Sequence, residues 1–361
     1  MMVENKWINA LNVRYPIIQA PMAGGITTTE LICEAANNGC LGMIAAGYLT
    51  PEALAAQIDE VKEGTTHPFG VNVFVPSAFR TSQKEIDHTL QQLEPIYQQL
   101  KVENREVTIP DYQQLFAVYN EHIETIIQKD VKICSFTFGL PASDIIQRLK
   151  EENIILIATA TTVKEAIAAE KAGMDAVVVQ GSEAGGHRGH FMDGVEESSI
   201  GLMSLLPQVV DQVSIPVIAA GGIMDGRGLA AALCLGAEAV QMGTAFLTCV
   251  ESGAPAIHKE AIMSAGEDEV ILTKSFSGKW ARGISNTFTQ EMKKYQDNLP
   301  SFPVQNALTQ PMRKAASQMN NKEYMSLWSG QSPRLTKNTT VKTLIELTIQ
   351  EAGEVVSNIN D

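Results

Sequence analysis

The residues best equipped for chemistry lie in "QGSEAGGHRGH", Gln180 to His190, where four glycines and two histidines follow the apolar run "DAVVV". Such a loop could cradle a phosphate on backbone N–H groups, bind a metal, or hold one imidazole over a substrate. Metal is the poorest fit, because no His/Asp/Glu set has ligand spacing and Arg188 puts a cation between the two imidazoles. Gly185 and Gly186 leave room for a flat ligand beside His187, which makes His187 the catalytic candidate. His190 reads as an ordinary loop histidine.

Three amides stand where apolar side chains would be expected. Asn72 interrupts "VNVFV", and Gln180 and Gln241 end otherwise apolar strands. A buried amide must find partners, so three near one mouth fit a polar heterocycle or sugar alcohol, with bonding to loop backbone as the plain alternative. Downstream, "AAGGIMDG" and "QMGTAF" could converge the N–H groups of Gly222, Gly243 and Thr244 on a phosphate, although two ordinary tight turns would read the same way. Such a phosphate could belong to a substrate or to a cofactor such as FMN, whose isoalloxazine ring would suit the amides.

These groups need a scaffold. Three segments, "AANNGCLGMIAAG" (35–47), "AEKAGMDAVVVQG" (169–181) and "ALCLGAEAVQMG" (232–243), each end a helix at a glycine and enter a short apolar strand. Thr27 with Glu30 and Thr162 with Glu165 have capping-box spacing. Eight apolar strands are expected at 16–20, 41–46, 69–75, 131–136, 154–159, 175–179, 215–220 and 238–242, short and nearly continuous as strands buried on both faces should be. Their alternation with helices predicts an α/β fold, a TIM (β/α)8 barrel, with the site at the C-terminal strand ends. The barrel should take residues 1–249 and 339–361, with an insertion at 77–130. A longer insertion, 250–338, should form a smaller lid or substrate region. Trp280, Arg282, Tyr324 and Trp328 within it are expected to pack rather than line a pocket.

The totals agree with a small-molecule protein. Among 361 residues, 45% are hydrophobic and 19% charged, which excludes a disordered chain. A formal charge of −14 argues against nucleic acid or an anionic membrane as partner. Cys33, Cys40, Cys134, Cys234 and Cys249 show no CxxC spacing, and no segment reads as an export signal or membrane span, so a cytoplasmic location is expected.

"QAPMAGG", "QGSEAGGHRG", "AAGGI", "QMGTAF", "FPVQNALTQPMRKAA" and "LWSGQ" together resemble the FMN-dependent nitronate monooxygenases, in order from about residue 11 to 335. "AGGHRG" alone resembles flavin-dependent enoyl-acyl-carrier-protein reductases too, and the C-terminal motifs tip the choice. The resemblance implies FMN contacts at Asn72, Gln180, Gly185, Gly222, Gln241, Met242, Gly243 and Thr244, with Met22 lining the flavin and His187 in the active site. It also implies oxidation by O2 of an alkyl nitronate, such as propionate 3-nitronate, to a carbonyl compound and nitrite or nitrate, a detoxification. The alternatives are an NAD(P)H-dependent enoyl-thioester or quinone reductase on the same barrel, and a sensor without turnover.

Overall fold

A computed structural model describes residues 6–103, 105–192 and 194–360. Its main sheet has eight parallel strands: β1 Ile17–Gln19, β2 Gly42–Ala45, β3 Phe69–Phe74, β4 Ile133–Thr137, β5 Ile155–Ala160, β6 Ala176–Gln180, β8 Val217–Ala220 and β9 Ala239–Met242. They run in the order β1-β9-β8-β6-β5-β4-β3-β2, and a parallel bridge between Ile18 and Leu41 joins the two ends. This is the expected barrel, one strand at each expected position.

Both faces of the strands are buried, which is why their sequences run apolar without alternation. On β6, Val177 and Val179 pack outward against the helices, whereas Val178 points into the barrel beside Ile18, Ile157 and Ile218. Ile8 and Leu11 from the N-terminal segment join that interior cluster. Gly39, Gly173 and Gly236, the helix-ending glycines of the repeated segments, all have positive φ. One cap differs from expectation: Thr28, not Thr27, accepts the N–H of Leu31, while the Thr27 hydroxyl bonds the backbone of Met22. Thr162 does cap its helix, but the Glu165 carboxylate turns to Thr161 and to the backbone beyond His190.

The terminal helix Val341–Asn360 buries Val341, Leu344 and Ile345, and packs on the helix Gly226–Cys234 so closely that a Cβ at Gly226 would lie 2.3 Å from the Ala352 nitrogen. Segment 77–130 divides. Its helix Gln83–Gln99 joins a separate apolar cluster with Phe276, Phe288, Leu308 and Met312, whereas the helix Tyr112–Gln128 sends Tyr119, Ile123 and Ile126 into the barrel's own core. Segment 250–338 contributes β10 Val270–Thr273 and β11 Ala281–Ile284 to a small antiparallel sheet whose third strand is β7 Gly186–His187. Cys234 is exposed, and the other four cysteines are buried free thiols. No described helix is long and apolar enough to cross a membrane.

Candidate active site

The His187 segment is a strand rather than a free loop. As β7 it pairs with β11, Ala281 opposite His187 and Arg282 opposite Gly186, so segment 250–338 holds one edge of the ledge. The barrel holds the other through three side chains. Gln180 donates Nε2–H to the His187 carbonyl at 3.1 Å and accepts the Gly189 N–H at 2.8 Å. Arg188, fully buried, donates to the carbonyls of Gly181 (2.6 Å), Gln180 (3.2 Å) and Ser198 (2.6 Å). Glu165, also fully buried, accepts from Thr161, Phe191 and Met192, using the several lone-pair sites of a carboxylate. Gln180 thus bonds loop backbone through one N–H and its oxygen, as its plain alternative allows, and also lines the cavity wall.

Around the His187 ring stand Phe138, Phe302 and Trp328, with ring centroids 5.9, 5.7 and 5.5 Å away. Phe138 adopts φ +74, a conformation that costs a non-glycine residue on the order of 1–3 kcal/mol and clusters at functional sites. His187 Nε2 lies 2.8 Å from the Ser277 hydroxyl, which donates to the Lys279 carbonyl and accepts the Lys279 N–H. All three bonds are satisfied together only when His187 Nε2 carries the proton, which leaves Nδ1 as the bare edge. Burial pushes the imidazole down to about 3, and the cations of Lys279 and Arg313 push the same way. Both effects favour the neutral imidazole.

A cavity of about 360 Å³ opens at the C-terminal ends of the barrel strands. Its wall includes His187, Asn72, Gln180, Gly185, Gly222, Gln241, Gly243 and Thr244 among the expected residues, and Met22 as well. Met242 is the exception: its side chain is buried in the barrel–helix core and its carbonyl accepts the Ala20 N–H. Asn72 donates to Ser135 and Thr137 at 2.8 and 3.0 Å, while no described residue bonds the Gln241 amide. A Cβ on Gly186 (φ +71) would meet nothing within 4 Å, so this is the open ledge. Gly185 is different, because a Cβ there would lie 2.6 Å from the Ser329–Gly330 backbone. Gly222, at φ +70, turns toward Ser332, whose hydroxyl bonds its carbonyl.

Sequence reasoning missed several wall residues. Trp328 lines the cavity instead of simply packing the lid, while Tyr324 does pack, its hydroxyl reaching Gln99. Arg282 is buried and donates to the Ser182 carbonyl, and Trp280 lies under the Lys274 ammonium. Arg313 also reaches the wall from the helix Val304–Gln318. The available signal was a cation on the same helical face as Asn306 and Thr309. Among the described residues no group of three or more His, Cys, Asp or Glu is placed to hold a metal ion.

Residues 5–351 match the family model for nitronate monooxygenase. The chain belongs to the nitronate monooxygenase family. It is 49% identical over 354 residues to a probable nitronate monooxygenase of Staphylococcus aureus, covering 98% of each chain. A nitroalkane oxidase from Streptomyces ansochromogenes superposes with a TM-score of 0.90 at 37% identity, over 98% of this chain and 99% of that one. FabK from Thermotoga maritima superposes at 0.79 with 29% identity, over 99% of both. The chain is an oxidoreductase of a flavin-dependent barrel class.

Proposed function

We propose that this chain is an FMN-dependent monooxygenase that oxidises alkyl nitronates, such as propionate 3-nitronate, with O2 to a carbonyl compound and nitrite or nitrate, a detoxifying activity. The observation that carries this reading is one continuous cavity joining the Gly222 and Gly243–Thr244 turns to the neutral, ring-enclosed His187. FMN fits that cavity on two grounds: Gln241 offers an amide with no partner among the described residues, and the left-handed Gly222 turn in the cavity wall offers backbone to a phosphate. Gly222, Gly243 and Thr244 would hold the phosphate, and Asn72 and Gln241 the ring. Met242 would contribute through backbone alone, and Gln180 and Gly185 by shaping the wall. Residues 1–249 with 339–361 then form the FMN barrel, and 250–338 the substrate side.

When bound, the flavin supplies the electron transfer between nitronate and O2. The chain's own part is positioning. Ser277 fixes the His187 ring, Gln180 its carbonyl, and Arg188 and Glu165 the loop on either side, while Phe138, Phe302 and Trp328 surround the ring. A nitronate is already deprotonated and needs no base. A neutral nitroalkane does need one, and an imidazole titrating at about 3 is poorly matched to that task near neutral pH.

The likeness to FabK favours one second reading, an NAD(P)H-dependent enoyl-acyl-carrier-protein or quinone reductase. Anaerobic mixing separates the two. Bleaching of the flavin by a nitronate without NADH is the expected result; rapid bleaching by NADH and none by nitronates would make the reductase reading correct.

A further inference from the structure

Lys279 is the residue through which segment 250–338 grips both ends of the ledge. Its backbone N–H and carbonyl bond the Ser277 hydroxyl at 3.3 and 3.0 Å, and Ser277 in turn holds His187 Nε2. Its side chain reaches the far end, where the ammonium donates to the His190 carbonyl at 3.3 Å. The same ammonium lies over Phe138, with Nζ 4.8 Å from the ring centroid, close enough to be attracted by the electron-rich face of the ring.

Phe138 needs such a hold. It stands at φ +74, with its ring edge-on to His187 at 86° and 5.9 Å between centroids. Phe74 and Phe302 pack against it ring on ring, at 4.6 and 5.7 Å, whereas Lys279 is the one cation over it among the described residues. The ammonium therefore rests on an aromatic face and a neutral carbonyl. Burial pushes it down to about 8; of the charges nearby, Glu165 favours the cation and Arg188 opposes it. The two imidazoles facing it, His187 and His190, are pushed toward their neutral forms by burial first and by this cation second.

We propose that Lys279 is a positioning residue for the active-site histidine: its ammonium clamps Phe138 in the left-handed conformation that keeps the ring edge-on to His187. Removing the charge, by substitution or by raising the pH, releases the clamp. Lys279 is not in the cavity wall and Phe138 is, so the effect passes through the ring. The clamp serves any reaction at the ledge, and nitronate turnover is only one readout of it.

K279M removes the charge but keeps both Ser277 bonds, which belong to the backbone, and K279R keeps a cation that does not titrate in the working range. With FMN-loaded proteins and propionate 3-nitronate at pH 7, K279M should lose roughly 5- to 30-fold in kcat/KM, the range of a shielded cation–π contact, with bound FMN unchanged. K279R should recover most of that loss. Ionisation of the substrate is common to all three proteins and cancels in ratios of their rates. The ratio of wild type to K279R should therefore fall between about pH 7 and about pH 9.5, as Lys279 loses its proton near 8, while the ratio of K279M to K279R stays flat. Wild-type turnover by K279M, or a ratio of wild type to K279R that does not change with pH, would overturn the proposal. So would an equal loss from K279M in a Phe138→Leu background, because the ammonium would then act by another route. Crystal structures of wild type and K279M at pH 7 read the clamp without turnover. A Phe138 ring that leaves its edge-on position in K279M supports the clamp even if no nitronate is oxidised, and an unmoved ring contradicts it.

Discussion

Replacing Arg188 with Met tests whether the ledge is held from within the barrel. The guanidinium is fully buried and bonds three carbonyls, those of Gly181, Gln180 and Ser198, and burial pushes its pKa down to about 10, so it stays charged at neutral pH. Met fills a similar volume but leaves those carbonyls without their donor and the buried Glu165 without its neighbouring cation. Charge-assisted bonds contribute roughly 1.5–3 kcal/mol each, offset in part by relief from burying a charge, for a net loss on the order of 3–5 kcal/mol. A chain of 361 residues unfolds with an entropy of roughly 0.75 kcal/mol/K, so Tm should fall by about 4–7 °C. Turnover should fall with it, because His187 is the adjacent residue. The assay is thermal unfolding of the flavin-loaded protein alongside steady-state rates. A Tm within 1 °C of wild type, with unchanged kcat, would refute the idea that Arg188 holds the ledge.

Two further perturbations address the site itself. Gly222→Val places a branched side chain at φ +70, against Glu183 and Ser332, and should yield protein with little FMN; a variant purifying with full flavin content would remove Gly222 from the phosphate turn. His187→Asn should keep FMN and lower turnover of nitronates by roughly 10- to 100-fold, as expected for loss of a positioned contact. Because the imidazole titrates at about 3, well below its ordinary value, it is neutral above about pH 4, so wild-type kcat/KM for a nitronate should show no inflection near pH 6.5 that disappears in His187→Asn. Finding such an inflection would show that the imidazolium is the working form.

Burial on both faces gives barrel strands a plain signature, which is why "DAVVV" and "IPVIAA" were legible as strands before any contact was known. The place of His187 on the cavity wall was legible from Gly186 beside it, which leaves the ledge open, whereas the tight packing of Gly185 against the Ser329–Gly330 backbone was not. Gln180 was legible as a polar strand end, but a strand-end amide looks the same in sequence whether it faces a cavity or the backbone of its own loop, and here it bonds the loop while lining the cavity. Met242 lies beside three wall residues, yet β alternation turns its side chain into the core. Arg313, Trp328 and Ser277 belong to segment 250–338, whose placement depends on long-range packing against the helix Gln83–Gln99 and on β11 pairing with β7. No local pattern encodes that docking.

The central claim is tested most directly by giving the purified, FMN-loaded protein propionate 3-nitronate in air and following O2 and nitrite together. O2 uptake and nitrite release should rise in step, without NADH. Nitrite-free solutions and no O2 uptake from a fully loaded protein would contradict it.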